Sequence, residues 1–363
     1  MNNYSAPMPF NRAVIDGIVE VNKKTKNNKI TVLYNNLPGG DPENLSLDVV
    51  RSFDYHIDFD DFIELVHYSK SKGFDFIYLL NAPILPSYHL TKSREKAMNR
   101  LFEKLLKSGI TKIRMSDPML IGFAMKYYPE IQVYCSTTQE HHTIRHYLNL
   151  FEEYSNIKEV VLGNDINKDF AFIDSFRKKF PHIHMELMVN EDCISGCPWR
   201  LAHTVIRPPK HNKPVCTFDF LGCKLYSLNL VESIFLSNVI YPWTIKTYVK
   251  HGIDSFKFVG RSATKLQSGA YLNYYYSFMR GVEDEEFLND LPLNLFNRRI
   301  HLKPVDEKLA RMTIGEIRPF MPKIEYIEKK YGTCAVDCTV KCHHCYNKAK
   351  RVNDLFGLKV NAL

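Results

Sequence analysis

The feature that most constrains this fold is a regular alternation of short apolar runs and longer stretches with helical periodicity. Apolar residues recur at helical spacing in residues 60–72 and 93–108, for example. Runs typical of buried strands occur at residues 30–34, 74–80, 112–115, 131–135, 157–162, 184–189 and 255–259. Repeated strand–helix units indicate a parallel sheet. Their extent suits a (β/α) barrel, which takes about 250 residues.

We therefore predict an α/β, TIM-barrel-like (β/α) domain over residues 1–285 and a small cysteine-rich appendage over residues 286–363. The second segment differs in composition: it holds the acidic run GVEDEEFLND, the proline-interrupted run LPLNLFNRRIHLKP and a group of cysteines. The whole chain is 45% hydrophobic and 24% charged, which is ordinary for a globular protein. A core of this size does not need a metal in order to fold.

The interpretation of the cysteines depends on the cellular compartment that the sequence predicts. The first residues lack a basic start followed by an apolar stretch, and no apolar run approaches the roughly 18 residues of a membrane span. These features predict a cytoplasmic protein without a membrane span, where disulfides are rare. Eight of the nine cysteines fall in two groups, which then indicates metal ligands.

The first group comprises Cys193, Cys197, Cys216 and Cys223. Cys193 directly follows a predicted strand, which would place its thiolate at the mouth of the barrel. Glycine and proline beside Cys197 suit a tight ligand loop. Four thiolates hold either a [4Fe–4S] cluster or structural zinc, and these spacings are looser than the paired knuckles of zinc ribbons.

The second group, Cys334, Cys338, Cys342 and Cys345, falls within twelve residues. This density favours iron–sulfur, as in ferredoxin-type runs. His343 and His344 would replace a thiolate in a zinc site, so zinc remains an alternative at one or both groups. The predicted cofactors are two [4Fe–4S] clusters. The ninth cysteine, Cys135, lies in an apolar strand and is interpreted as a small buried hydrophobe.

Polar residues follow several predicted strands, among them Asp117, Gln139 and Arg261. In a (β/α) barrel these strand ends open onto one face, where such barrels bind and react, although loops are commonly polar in any case. The net charge of +8 permits an anionic partner, either RNA or an acidic metabolite, but its scatter along the chain suits a solvated surface equally well. The sequence contains no GxGxxG after a strand, no Walker loop and no HExxH.

Three segments together are similar to one known family. They are SDPMLIGFAMKYYPEIQVYCSTTQ (116–139), MELMVNEDCISGCPWR (185–200) and GIDSFKFVGR (252–261). In order and spacing they resemble the U32 family, the collagenase-like peptidases, over about residues 30–285. The chain departs from that family in an insertion at residues 39–60, in Val259 where the family has glutamate, and in its second cysteine group. The family's N-terminal strand is not recognisable.

The resemblance implies a TIM-barrel-like fold and a [4Fe–4S] cluster held by four cysteines near the barrel mouth. Cys193 and Cys197 match the first two family ligands, and Cys216 and Cys223 match the later two by order. Relatives include oxygen-independent hydroxylases of anaerobic ubiquinone synthesis and of tRNA or ribosomal RNA, some of which are thought to take oxygen from prephenate. Other members are named peptidases.

The leading hypothesis is therefore oxygen-independent hydroxylation of a small molecule or an RNA base. The C-terminal cluster would relay electrons from an electron donor protein. Arg200, Lys257 and Arg261 would hold an acidic metabolite such as prephenate, although structural ion pairs would explain them equally well. Asp117, Gln139 and His203 would orient the substrate. A U32-type peptidase and a non-catalytic iron–sulfur subunit are the alternatives, and either a hetero- or a homodimer is compatible with the sequence.

Overall fold

The computed structural model describes residues 1–37, 42–43, 56–85, 91–191, 193–194, 196–201, 230–261, 267–296, 311–325, 327 and 343–358. Its centre is a closed barrel in which each parallel strand pairs with the next and the eighth pairs with the first. The strands are β1 (Asn2–Pro7), β2 (Asn28–Asn35), β3 (Asp75–Leu80), β4 (Lys112–Met115), β5 (Gln132–Cys135), β6 (Ile157–Val161), β7 (His184–Met188) and β8 (Ser255–Lys257). The predicted TIM-barrel-like α/β fold is confirmed.

Helices follow the strands and pack around the barrel. They are α1 (Arg12–Lys24), α2 (Phe59–Ser71), α3 (Lys92–Lys107), α4 (Pro118–Tyr127), α5 (Ile144–Glu153), α6 (Phe170–Lys179), α7 (Leu230–Leu236), α8 (Ile245–Lys250), α9 (Leu272–Glu283), α10 (Ile314–Ile317) and α11 (His344–Phe356). None of these described helices is both long and apolar enough to cross a bilayer.

Strand β1 and helix α1 are absent from the sequence-based assignment, which begins at Ile30. The sequence NNYSAP is short and polar, so neither periodicity nor apolar content marks it as a strand. Pairing with two neighbouring strands stabilises β1 although its local strand propensity is low. Tyr4 lies in register with Ile30 of β2 and with Phe256 of β8. β1 therefore closes the barrel.

The main core lies between the outer face of the barrel and the helices. It is rich in aromatic side chains: the Tyr4 ring stacks on Phe258 at 5.2 Å between centroids, and Phe62 of α2 meets Tyr78 of β3 edge-on at 5.9 Å. Such contacts add to the free energy of simple area burial. Most outward-pointing strand residues are consequently apolar, whereas Asn28 of β2 is a polar exception that donates to the Met279 carbonyl of α9.

The C-terminal helix α11 packs against α7. Asn353 of α11 donates a side-chain hydrogen bond to the buried Glu232 of α7 at 3.3 Å. This contact ties the end of the chain to the segment that follows the first cysteine group. The proposed boundary between residues 285 and 286 stays a prediction.

Candidate functional site

The carboxyl ends of β5, β6 and β7 bring together a group of ionisable side chains at the barrel mouth. We call it the mouth cluster, and it consists of Glu140, Asp165, Cys193, Cys197 and Arg200. Each member comes from the loop after one of these strands. This is the face on which (β/α) barrels place their chemistry.

The cysteine loop of the mouth cluster is held by backbone contacts. The carbonyl of Cys193 accepts a hydrogen bond from the Asn238 amide at 3.2 Å, and Ile194 forms a β-bridge with Ser237. Gly196 has φ +62°, and its amide donates to Asp165 Oδ1 at 3.1 Å. The loop is thus fixed on two sides. Cys193 is buried and Cys197 is partly exposed.

Arg200 is the cation of the mouth cluster, and 12% of its side chain is exposed. Its Nη2 lies 3.7 Å from Asp165 Oδ1, and its Nε lies 3.9 Å from Glu140 Oε2. Burial would lower the pKa of Arg200, but Cys193, Glu140, Glu191 and Asp165 outweigh burial and raise the pKa. The guanidinium therefore stays charged beside Cys193, and such a cation favours the thiolate form that binds metals.

Glu140 is a site residue that the sequence reasoning missed. Its backbone is left-handed, with φ 51°, and its carboxylate lies 3.5 Å from His142 Nε2. Burial raises the pKa of Glu140 to about 7, with Arg200 acting in the opposite direction. A non-glycine residue in this conformation stores strain of the kind found at functional sites. The run STTQEHHT gives no signal for it.

Two of the predicted substrate-orienting residues hold the loops of the mouth. Asp117 is the N-cap of α4, because its Oδ1 accepts a hydrogen bond from the Leu120 amide at 3.0 Å. Gln139 donates from Nε2 to the Ser116 carbonyl at 3.0 Å. These contacts account for both side chains structurally. His203 lies outside the described residues.

The three predicted anion-binding cations occupy different depths. Arg200 lies in the mouth cluster, and Arg261 donates from Nη1 to Asn36 Oδ1 above β2. Lys257 points into the barrel, where its Nζ lies 3.5 Å from the centre of the Tyr34 ring. Burial, followed by the charge of Arg114, lowers the pKa of Lys257 well below its ordinary value. Glu186 and Glu159 act on this pKa in the opposite direction, so the Lys257 amine interacts with carboxylates inside the barrel and not with the mouth.

Beneath the mouth, the barrel encloses four ionisable side chains that we call the interior network: Arg114, Glu159, Glu186 and Lys257. Arg114 is 1% exposed and donates from Nη2 to Glu159 Oε1. The same nitrogen lies 2.9 Å from Glu186 Oε2. Burial and then Glu186 raise the pKa of Glu159. For Glu186, burial is outweighed by Arg114 and Lys257, which lower its pKa.

The sequence does carry a signal for the interior network. KIRM and HMELM each place a charged residue between apolar neighbours inside a strand, and IKEVV places Glu159 directly before two valines. Since side chains alternate between the two faces of a strand, each of these charges lies on the face opposite its apolar neighbour. Because the interior of such a barrel is normally filled with branched apolar side chains, charges at these positions mark an unusual interior. The strand runs were interpreted only as apolar, so the signal was missed.

The remaining cysteines are placed only in part. Cys135 is buried in β5, as predicted, and burial raises the pKa of its thiol to about 12. Cys345 is buried at the start of α11. Cys216, Cys223, Cys334, Cys338 and Cys342 lie outside the described residues. Within the described ranges, no three His, Cys, Asp or Glu side chains are arranged to hold a metal ion, so the cluster ligands stay predictions.

Comparison with known proteins identifies the family to which this barrel belongs. The profile of peptidase family U32 matches residues 13–219, more than half of the chain. The chain belongs to peptidase family U32. A curated relative, named as an uncharacterized protease of Methanocaldococcus jannaschii, is 27% identical over 266 residues, which cover 71% of this chain and 76% of the relative. The resemblance drawn from the three sequence segments is thereby confirmed.

Solved structures with similar folds include another U32 protein. The structure of the U32 peptidase Mk0906 is 11% identical to this U32 chain, with a TM-score of 0.48, and covers 72% of this chain and 94% of its own. N-acetylneuraminate lyase from Fusobacterium nucleatum is 13% identical, with a TM-score of 0.38 and coverage of 99% of both chains.

Proposed function

We propose that this U32 protein is an iron–sulfur redox enzyme that hydroxylates a small molecule or an RNA base without molecular oxygen. The observation that carries the proposal is the cysteine loop of the mouth cluster. A buried Cys193 on a loop fixed by Asn238 and Asp165, beside the buried cation Arg200, is a thiol placed for ligation at the reactive face of the barrel.

The donor chemistry fits a [4Fe–4S] cluster. Cys193 and Cys197 would provide two thiolates, and Cys216 and Cys223, which lie outside the described residues, would provide the others. Bound there, the cluster would supply one-electron transfer at the mouth. Zinc fits the same thiolates, so the metal itself must be measured.

The neighbouring residues suit a hydroxyl transfer between two organic molecules. In this reaction the substrate R–H becomes R–OH and loses two electrons, while the donor D–OH becomes D–H and gains two. Arg200 and Arg261 would hold the carboxylate of an acidic donor such as prephenate. Glu140, with a pKa of about 7, would give and take the proton that accompanies the hydroxyl.

Because the hydroxyl transfer consumes no net electrons, a second cluster on the C-terminal cysteines would pass an electron from a donor protein only to reduce the mouth's cluster before turnover begins. Support comes from the position of Cys345. Cys345 is the second residue of α11, and α11 packs against α7. Tyr241 donates to the Ile234 carbonyl at 2.9 Å, and Asn238 in the same segment bonds to Cys193. One short segment therefore lies between Cys345 and Cys193.

One observation favours the peptidase alternative. His184 Nε2 lies 2.7 Å from the Ser255 hydroxyl, as a base lies beside a serine nucleophile. The nearest carboxylate, Glu159, approaches the same Nε2 at 3.7 Å, whereas a catalytic triad places its acid on the other ring nitrogen. Both residues also lie at the amino-terminal end of the barrel. We therefore propose hydroxylation ahead of peptide cleavage.

The test is anaerobic purification with iron, sulfide and zinc counted per chain, for the wild type, Cys193→Ala and Cys135→Ala. Two clusters predict about eight iron atoms in the wild type and about four in Cys193→Ala. Cys135→Ala is the matched control, because it removes a thiol from a strand that ends at the same mouth, and it should keep the full count. Zinc without sulfide, or equal iron in all three proteins, would overturn the proposal.

If the clusters are present, anaerobic turnover with nucleosides, RNA and quinone precursors distinguishes an enzyme from a non-catalytic subunit. Prephenate would be added as oxygen donor and dithionite as reductant. Product containing one additional oxygen atom is expected from the wild type and not from Cys193→Ala. Full cluster loading without product from any substrate would favour the subunit role, and cleavage of a peptide by the cluster-free variant would favour the peptidase.

A further inference from the structure

Residues 230–238 lie between the two cysteine groups. They comprise α7 and the two residues that follow it, Ser237 and Asn238. α11, whose second residue is Cys345 of the C-terminal group, packs against α7. Ser237 and Asn238 contact the cysteine loop of the mouth cluster. We call residues 230–238 the bridging segment, because it touches the structural surroundings of both groups.

The buried face of α11 includes the last cysteine of the C-terminal group. Cys345, Ala349, Val352 and Asn353 recur at helical spacing, and all four are buried. Asn353 donates from Nδ2 to the buried Glu232 of α7 at 3.3 Å, which stabilises a carboxylate that is 1% exposed. A metal bound through Cys345 would fix the first turn of α11 and, with it, the position of this face against α7.

The other end of the bridging segment holds the cysteine loop. The Asn238 amide donates to the Cys193 carbonyl at 3.2 Å, and Ile194 forms its β-bridge with the segment. The Asn238 side chain donates from Nδ2 to Asp165 Oδ1 at 3.1 Å, the oxygen that also accepts the Gly196 amide. Asn238 is fully buried, so a movement of the segment would leave these groups unpaired away from water.

The barrel also holds the bridging segment, which limits how far it can move. Lys168 donates from Nζ to the Ser237 carbonyl at 2.6 Å, and Asn167 donates from Nδ2 to the Asn238 carbonyl at 2.8 Å. Neither hydrogen bond involves α11. Loss of the support from α11 should therefore loosen the cysteine loop without releasing it. We expect an effect within the range of about 5–150-fold in affinity that is typical of coupled sites.

We propose that the bridging segment couples the two cysteine groups, so that a metal bound by the C-terminal group stabilises the ligating arrangement of the cysteine loop at the mouth. The coupling rests on the proposed function only in that both groups bind a metal. It is a property of the packing of α7 and does not require electron transfer. Because coupling between two binding sites is reciprocal, a metal at the mouth equally strengthens metal binding by the C-terminal group.

The first test measures metal binding at the mouth. Metal is removed from the full-length protein with a chelator, and Zn²⁺ is restored anaerobically at buffered free concentrations. Protection of Cys193 from iodoacetamide is then followed by mass spectrometry of its peptide. In Cys345→Ala, half-protection of Cys193 should need at least about fivefold more free Zn²⁺ than in the wild type. Cys135→Ala, which removes a thiol outside both groups, is the control and should match the wild type.

The second test changes the packing of α11 and needs no metal. Asn353→Leu removes the donor to Glu232 and should loosen α11. Alkylation of Cys345 then reports on α11, alkylation of Cys193 on the cysteine loop, and alkylation of the buried Cys135 on the barrel. We expect Cys345 and Cys193 each to react at least about fivefold faster than in the wild type, with Cys135 unchanged.

Further variants control this test. Asp354→Asn changes the next side chain, on the exposed face of α11, and should react as the wild type does. If Asn353→Leu leaves Cys345 protected, Ala349→Glu places a charge in the same buried face and replaces it. If an α11 variant also exposes Cys135, the barrel has unfolded and Asn238→Ala decides from the other end. By reciprocity, Asn238→Ala should speed the alkylation of Cys345.

Three results would overturn the proposal. The first is equal half-protecting Zn²⁺ for the wild type and Cys345→Ala. The second is an α11 variant in which Cys345 reacts faster while Cys193 keeps its wild-type rate. The third is a wild-type rate for Cys345 in Asn238→Ala. None of them depends on iron content or turnover, so a failure of the coupling is distinguishable from a failure of the hydroxylation proposal.

Discussion

The mouth cluster and the interior network both bury opposite charges, but they hold them in different ways. Arg114, Glu159 and Glu186 extend from paired strands, so the hydrogen bonds of the barrel fix their separation. Glu140 and Arg200 extend from loops and meet at 3.9 Å, and Glu140 has a left-handed backbone. We infer that the charges fixed by the strands stabilise the barrel. The charges on the loops are instead placed where they can interact with a ligand.

The largest expected effect is loss of the shared interior cation. Arg114→Met leaves Glu159 and Glu186 buried without their guanidinium, and the free energy of unfolding should fall by about 3–5 kcal/mol. Urea unfolding measures this change. Arg12→Met is the control, because Arg12 pairs with Glu64 on the surface, where a pair contributes about 0–1 kcal/mol. A fall below about 1 kcal/mol in Arg114→Met would remove the distinction between the two regions.

The second effect is a pH dependence that belongs to the mouth. Because the pKa of Glu140 is raised to about 7 in the folded protein, folding favours its protonated form. Its contribution to stability is present below its unfolded pKa of about 4.3 and is lost as the pH rises through 7. The unfolding free energy of the wild type, relative to Glu140→Gln, should fall by about 2.5 kcal/mol between pH 5 and pH 8. A difference that does not change with pH would contradict the prediction.

The third effect separates strain from charge at Glu140. Glycine adopts a positive φ without steric penalty, so Glu140→Gly should be more stable than Glu140→Gln by about 1 kcal/mol. Thermal unfolding of the two variants measures this difference. We expect both to lose anaerobic turnover, since neither has the carboxyl group. Full turnover in either variant would remove Glu140 from the proton-transfer role.

The smallest effect concerns Asp117. Asparagine caps helices as well as aspartate does, so Asp117→Asn should retain both stability and turnover, whereas Asp117→Ala should lose about 1 kcal/mol of unfolding free energy. Chemical denaturation and the anaerobic assay measure the two properties. Loss of turnover in a fully stable Asp117→Asn would return this residue to the catalytic role suggested by its position after a strand.

The sequence predicted the barrel because seven of its strands are apolar runs between helical stripes, a pattern that burial on both faces requires. It did not predict β1, whose polar residues become a strand only through pairing with β2 and β8. In the candidate site, Cys193 and Arg200 were predicted because cysteine is a common metal ligand and arginine commonly binds anions. Glu140 was missed because its importance comes from φ and burial, which no local pattern encodes.

Closure of the barrel also determines when each strand can pair during synthesis of the chain. Asn3 of β1 pairs with Ser255 of β8, so β1 cannot complete its pairing until β8 has been synthesised. At translation rates of about 5–20 residues per second, that wait is on the order of 10–50 seconds. Throughout it, one edge of the growing sheet presents unpaired amides and carbonyls to other chains. A chaperone that covers this edge during synthesis should therefore raise the yield of soluble protein. We expect this gain in yield to be larger than the gain from slowing the unfolding of the completed barrel.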